Sequence, residues 1–198
     1  MRKASLVRKT KETDIQIKVQ LDELEKGKES NIQTGIGFFD HMLTVFAFYS
    51  GIYLDVSCEG DLYVDGHHTV EDIGIMLGRA IFEALGDKMG IARYGNSFIP
   101  MDEALVQCSL DISARPYLVF NVEIPGERVG EFETELTEEF FRAVAVNSGM
   151  TLHFNLQYGK NTHHIIEGLF KSFGSAFKQA IKIDENNKDK IVSSKGVI

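Results

Sequence analysis

The sequence has no surplus of positive charge, no long apolar run and almost no cysteine. Against 29 Asp+Glu there are 21 Lys+Arg, a formal net charge of -8. Non-specific nucleic-acid binding needs a basic face to displace counterions, so that class is excluded. An anionic membrane surface is disfavoured for the same reason. No apolar run approaches the ~20 residues of a membrane span. The N-terminal MRKASLVRKTKE is basic but has no apolar stretch behind it, so it is not read as a secretory signal. The chain reads as soluble and cytoplasmic. Two cysteines, Cys58 and Cys108, are too few for a disulfide scaffold, and neither sits in a C-x-x-C pair. They permit one disulfide; the preferred reading is two buried thiols in a reducing compartment. No Pro/Gly/Ser-rich linker divides the chain.

What is present is an ordinary globular composition. Of 198 residues, 43% are hydrophobic, enough to bury a core without staples. Strands are expected where apolar and polar residues alternate: Thr13–Leu21, the stretch around Leu54, Val56 and Cys58, Ala104–Ile112, Tyr117–Ile124 and Thr151–Tyr158, with a short one at Phe132–Leu136. Helices are expected over Phe38–Tyr49, His68–Leu85, Glu138–Asn147 and His164–Ile183. Residues 22–34 read as a loop and the charged end as a frayed terminus. The mixture argues for α+β, with helices on one face of mostly antiparallel sheets.

The chain also repeats itself. HHTVEDIGIMLGRAIFEAL (67–85) aligns with HHIIEGLFKSFGSAFKQAI (163–181), with six identities: His67/His163, His68/His164, Glu71/Glu167, Gly78/Gly174, Ala80/Ala176 and Ala84/Ala180. Val70, Ile73, Leu77 and Ile81 match Ile166, Leu169, Phe173 and Phe177, one helix face in each copy. Further upstream Ser50-Gly51 falls on Ser148-Gly149, and Asp40-His41 on Glu138-Glu139. The halves span about 4–92 and 93–183 of a single domain, followed by a tail, 184–198.

Four of the six histidines lie in the duplicated H-H-x-x-E. On a helix, His67 and Glu71 are i and i+4 and share a face. Adjacent histidines project about 100° apart, so one small ion cannot easily take both. Two metals, each served by both helices, fit better. Imidazole plus carboxylate with no thiolate disfavours structural zinc and suits manganese or iron. His41 and its repeat mate Glu139 are further metal-competent side chains, whereas His153 reads as structural. Arg93 and Arg115 are candidate anion ligands, because a guanidinium fork suits phosphate. Ser193, Ser194 and Lys195 could cradle a phosphate. Glu12 would ordinarily be a solvated carboxylate, and Asp102-Glu103 simply polar residues ahead of a strand.

GFFDHML, DGHHTVEDIG, GIARYG, PMDEAL, LDISARPYL, SGMTLHFN, the THHIIE segment and the terminal SSKG together resemble imidazoleglycerol-phosphate dehydratases of histidine biosynthesis, in the monofunctional form, over about residues 4–198. The resemblance implies two similar α+β halves of the kind seen in the second domain of ribosomal protein S5. It further implies a homo-oligomeric 24-mer with two Mn(2+) per active site, held between subunits. The implied metal ligands are His41, His67, His68, Glu71, His163, His164 and Glu167. Many members carry an eighth ligand, a His before a Phe-Phe pair; this chain has Glu139 there, retained as a ligand. Implied substrate contacts are those metal-site residues except Glu139, together with Glu12, Arg93, Arg115, Ser193, Ser194 and Lys195.

The implied reaction removes water from imidazoleglycerol phosphate to give imidazoleacetol phosphate. The proton lost is not next to a carbonyl, and hydroxide leaves poorly. Lewis acids on both ring nitrogens would let the ring expel the hydroxyl and acidify that proton. Glu71, Glu167 and Glu12 are the candidate acid–base carboxylates. The rival reading is a dimetal phosphohydrolase on a small phosphate ester, which would release phosphate.

Overall fold

The computed structural model describes residues 1–22 and 29–198. The first half runs β1 (Lys3–Lys9), β2 (Thr13–Gln20), β3 (Asn31–Gln33), α1 (Gly37–Ser50), β4 (Tyr53–Gly60) and α2 (His67–Leu85). The second runs β5 (Tyr94–Met101), β6 (Ala104–Ile112), β7 (Tyr117–Asn121), a β8 (Arg128–Val129) and β9 (Phe132–Glu133) hairpin, α3 (Leu136–Ser148), β10 (Met150–Tyr158) and α4 (Thr162–Ala180).

The two main sheets share one topology. The orders are β1-β2-β4-β3 and β5-β6-β10-β7. In each, the first three strands pair antiparallel and the last pairs parallel, β3 with β4 and β7 with β10. The α+β class therefore stands.

The helices lie between the sheets and pair across the halves. α2 packs on β1 and β2 and closes against α3; α4 packs on β5 and β6 and closes against α1. Repeat mates Gly78 and Gly174 make both crossings possible. A Cβ at Gly78 would lie 2.8 Å from the Val144 carbonyl oxygen, and one at Gly174 3.0 Å from that of Phe46. Phenylalanines fill the seam: Phe46 stacks on Phe173 (centroids 4.7 Å apart), and Phe39 meets Phe140 edge-on at 5.2 Å. Each fully buried ring contributes roughly 1.5–3 kcal/mol of transfer free energy.

Three strands escape the alternation test. β1 is a charged edge strand whose side chains are all at least partly exposed. β3 falls in the segment read as a loop, of which residues 23–28 lie outside the described residues. In β5 the alternation is inverted: Gly95 and Ser97 point inward while Tyr94 and Phe98 are exposed. The expected strand at Phe132–Leu136 is only two residues long, and Leu136 already opens α3. α4 stops at Ala180, three residues early. The tail is tied down rather than frayed. Ile91 bridges Ile183, and the Gly90 N–H donates to the Lys190 carbonyl (2.9 Å).

Cys58 and Cys108 are buried and free. Burial pushes the Cys58 thiol up to about 11 and Cys108 well above the usual range. Among the described residues no helix is long and apolar enough to cross a membrane.

Candidate active site

The His pairs open α2 and α4 because each helix is started by a side-chain acceptor nearby. Asp65 Oδ1 accepts the His67 N–H (2.8 Å), and Asn161 Oδ1 accepts the His164 N–H (3.2 Å). On α1, Asp40 takes the Thr34 N–H (2.8 Å) and hydroxyl (2.5 Å), so its neighbour His41 is left facing out.

Because the helices pair across halves, each cluster of candidate ligands mixes them. His41 of α1 meets His163 and Glu167 of α4. Glu167 Oε2 lies 3.0 Å from His163 Nε2 and 3.5 Å from His41 Nε2, and the three donor atoms fall within 4.8 Å of one another. Two donors about 2.1 Å from a common ion stand roughly 3–4.2 Å apart. Two imidazoles and one carboxylate at this spacing fit a transition metal.

Lys171 Nζ donates to the other oxygen, Glu167 Oε1, at 2.6 Å. Burial pushes the Glu167 carboxyl upward, but the hydrogen bonds from Lys171 and His163 outweigh it and hold the group below its ordinary range. Lys171 is raised in turn: burial lowers it, and the Glu167 partnership overcomes that.

The mirror cluster is looser. His67 Nε2 stands 3.7 Å from Glu71 Oε2. Glu139 of α3 shares a cavity of about 440 Å³ with His67 and lies 3.7 Å from Arg142 Nε. The repeat sets Ile75 where the second cluster has Lys171, so Glu71 has no lysine four residues on.

The second histidine of each pair points elsewhere. The ring planes of His67 and His68 differ by 85°, those of His163 and His164 by 75°. His68 Nδ1 bonds Asp61 Oδ2 (3.0 Å), with Glu12 Oε1 3.9 Å from its Nε2. His164 Nδ1 bonds Glu103 Oε2 (2.7 Å), with Asp102 Oδ2 3.6 Å from its Nε2. Both imidazoles are raised, first by the hydrogen bond to their carboxylate. The His164 bond, with backbone N–H groups of Asn161 and Lys160, pulls Glu103 to about 2. Glu103 is thus no idle polar residue ahead of a strand.

The anion candidates gather at the far end of the second sheet. Arg93, Arg115, Ser193, Ser194 and Lys195 line one cavity of about 580 Å³. Arg115 is held more loosely: its side chain is 71% exposed, with Nη2 3.8 Å from Asp111 Oδ2. Arg93 is already engaged. It bonds Asp111 through Nε (2.6 Å) and Nη2 (3.0 Å) and donates from Nη1 to the Val192 carbonyl (2.6 Å), pinning the tail. The hydrogen bond to Asp111 raises it further against the opposing effect of burial. Arg93 and Ala114 both have positive φ, 73° and 55°, which non-glycine residues rarely adopt.

This cavity is remote from the His163 and His164 pair of the same chain. His163 begins α4, and the Arg93 N–H bonds the Ala180 carbonyl at its other end. That is 17 residues of helix, about 25 Å at ~1.5 Å each. β5 gives a second ruler: its eight residues span roughly 23 Å.

A family model described as imidazoleglycerol-phosphate dehydratase matches residues 34–177. The chain belongs to the imidazoleglycerol-phosphate dehydratase family. The dehydratase of Lactococcus lactis subsp. cremoris is 57% identical over 202 residues, covering 100% of this chain and 98% of that one. The dehydratase of Oceanobacillus iheyensis is 59% identical, covering 99% of each. The solved dehydratase of Staphylococcus aureus superposes with a TM-score of 0.83 at 43% identity, over 92% of this chain and 99% of that one. The solved dehydratase of Pyrococcus furiosus gives 0.82 at 40%, over 98% and 100%.

Sequence reasoning about this dehydratase-family chain missed three residues at the site. Lys171 was legible as an i,i+4 partner of Glu167. Asp61 and Glu103 lie 7 and 61 residues from their histidines and left no local signal.

Proposed function

We infer that the chain dehydrates imidazoleglycerol phosphate to imidazoleacetol phosphate in histidine biosynthesis, and that it uses a metal to do so. The observation that carries the chemistry is the His41, His163, Glu167 cluster at ligand spacing, echoed by Glu139, His67 and Glu71 in the other half. Two Mn(2+) per active site is the reading these two donor sets favour. When bound, the metals would supply Lewis acidity at the ring nitrogens of the substrate.

The chain's own residues do the rest. His41, His67, His68, His163, His164, Glu71, Glu139 and Glu167 would hold the ions and so fix the ring. Arg115, Lys195 and the Ser193-Ser194 hydroxyls would bind the phosphate, and Arg93 would fix the tail on which those groups ride. Of the three candidate carboxylates, Glu167 is committed to Lys171 and His163, and Glu71 to its place beside His67. Glu12 is exposed next to His68 Nε2 and is the best placed to move a proton.

The substrate links ring and phosphate through only three carbons, under ~8 Å at about 1.5 Å per bond. One chain holds the His163 end of α4 and its anion cavity ~25 Å apart. On this reading the active site combines the histidine end of α4 in one copy with the tail end of another. This supports a homo-oligomer with sites between subunits, of which the 24-mer is the closed form we favour.

The test strips metal with a chelator, restores manganese, and follows ketone and free phosphate in parallel. Manganese-dependent ketone without phosphate is expected. Phosphate without ketone would replace this reading with the phosphohydrolase. Arg115→Ala should raise KM about tenfold or more with a smaller change in kcat, since it removes orientation and binding rather than chemistry.

A further inference from the structure

Each half contains a histidine whose Nδ1 is tied to a carboxylate of the same chain. A carboxylate only accepts, so Nδ1 must carry the proton, and Nε2 of the neutral ring is left as a bare lone pair. The two halves reach this arrangement by different routes. His68 is held by Asp61, which follows β4; His164 is held by Glu103, in the turn before β6. At the position matching Asp61 the second half has Gly159, and at the position matching Glu103 the first half has Glu12, which faces Nε2 instead. The duplicated frame therefore does not explain the shared bond, because the partners are not repeat mates. Its recurrence from unrelated positions points to a demand for one tautomer.

We propose that Asp61 and Glu103 are positioning residues that lock His68 and His164 with Nε2 outward, each as the ligand atom completing a metal held by the three-residue cluster of a neighbouring copy. This rests on the dimetal reading above. In metal sites a carboxylate on the remote ring nitrogen sets tautomer and orientation and raises ligand basicity, and its loss costs about 10–100-fold in affinity.

Glu103→Gln gives an isosteric test. Glu103 Oε1 accepts the backbone N–H groups of Asn161 (2.6 Å) and Lys160 (3.1 Å), while Oε2 serves His164. A glutamine that keeps the backbone bonds turns its NH₂ toward Nδ1. The imidazole must then accept there and carry its proton on Nε2, where it blocks the metal. Among the bonds described, the Asp61 carboxylate serves only His68, so Asp61→Ala removes the lock and leaves the backbone intact. Asp61→Asn restores an acceptor and should rescue.

Manganese titration followed by electron paramagnetic resonance, beside thermal melting, reads the outcome. In Glu103→Gln and Asp61→Ala, one of the two metals per site should weaken about 10–100-fold with melting unchanged, and Asp61→Asn should recover most of the loss. Wild-type manganese curves in both variants would overturn the proposal, as would loss of both metals together with a lowered melting temperature, which would mark a structural role. A wild-type protein that binds no manganese and forms no ketone would instead overturn the dimetal reading itself.

Discussion

Glu167→Gln is expected to reduce turnover by roughly 10³-fold or more while the chain still folds and assembles. The carboxylate uses its two oxygens differently. Oε1 accepts from the Lys171 ammonium at 2.6 Å, and Oε2 faces His163 and His41. Glutamine has one acceptor for two demands. If the amide oxygen stays with Lys171, an NH₂ group faces the histidines and cannot ligate. If it turns to the histidines, NH₂ faces the half-buried Lys171 ammonium. Leaving Lys171 without its counterion costs about 1–3 kcal/mol, softened by the Met101 sulfur at 3.2 Å and the Tyr49 ring at 5.6 Å. Steady-state kinetics, manganese titration and a melting curve check this together. Near-normal turnover would remove Glu167 from the scheme.

Gly95→Ala is expected to cost at least ~3 kcal/mol of stability, the upper range for overpacking. A Cβ there would stand 1.9 Å from the Ala176 carbonyl oxygen and 2.7 Å from its carbon. Both are α4 backbone and cannot rotate aside. β5 is fastened to that helix on either side: the Arg93 N–H donates to the Ala180 carbonyl (2.9 Å), and Ser97 Oγ to the Ser172 carbonyl (2.7 Å). The helix must move off the sheet, taking His163 and Glu167 with it. Gly37→Ala is the control, since a Cβ there meets nothing within 4 Å. It should change stability by less than ~1 kcal/mol. Denaturant unfolding of both variants decides; equal stabilities would mean that α4 does not ride on the β5 backbone.

The same Gly95 shows why part of the fold was hard to read. Where helix backbone presses on strand backbone, the buried face carries glycine and serine, and the alternation that marks a strand disappears. β2, β4, β6 and β10 keep ordinary apolar inner faces and were legible, as were four helices with apolar stripes. The duplicated H-H-x-x-E was legible because each motif lies on one turn of one helix. The pairing of His41 with α4 was not, since it depends on how the halves cross. Nor was the commitment of Arg93 to Asp111 and the tail, because nothing in GIARYG distinguishes an arginine facing a ligand from one facing a carboxylate 18 residues away.

The crossing of α1 with α4 and of α2 with α3 bears on how such a molecule could arise. A half-length ancestor would have exposed the apolar faces of both its helices, and could cover them only by exchanging those helices with an identical twin. Twin copies would be bound by symmetry to identical ligand sets. Tandem fusion lifts that constraint. One cluster could then become nitrogen-rich, with His41 and His163 beside Glu167, and the other oxygen-rich, with Glu71 and Glu139 beside His67. Under the dimetal reading proposed above, the two positions of a fused chain would be free to differ in affinity and in task, which a self-paired ancestor could not have allowed.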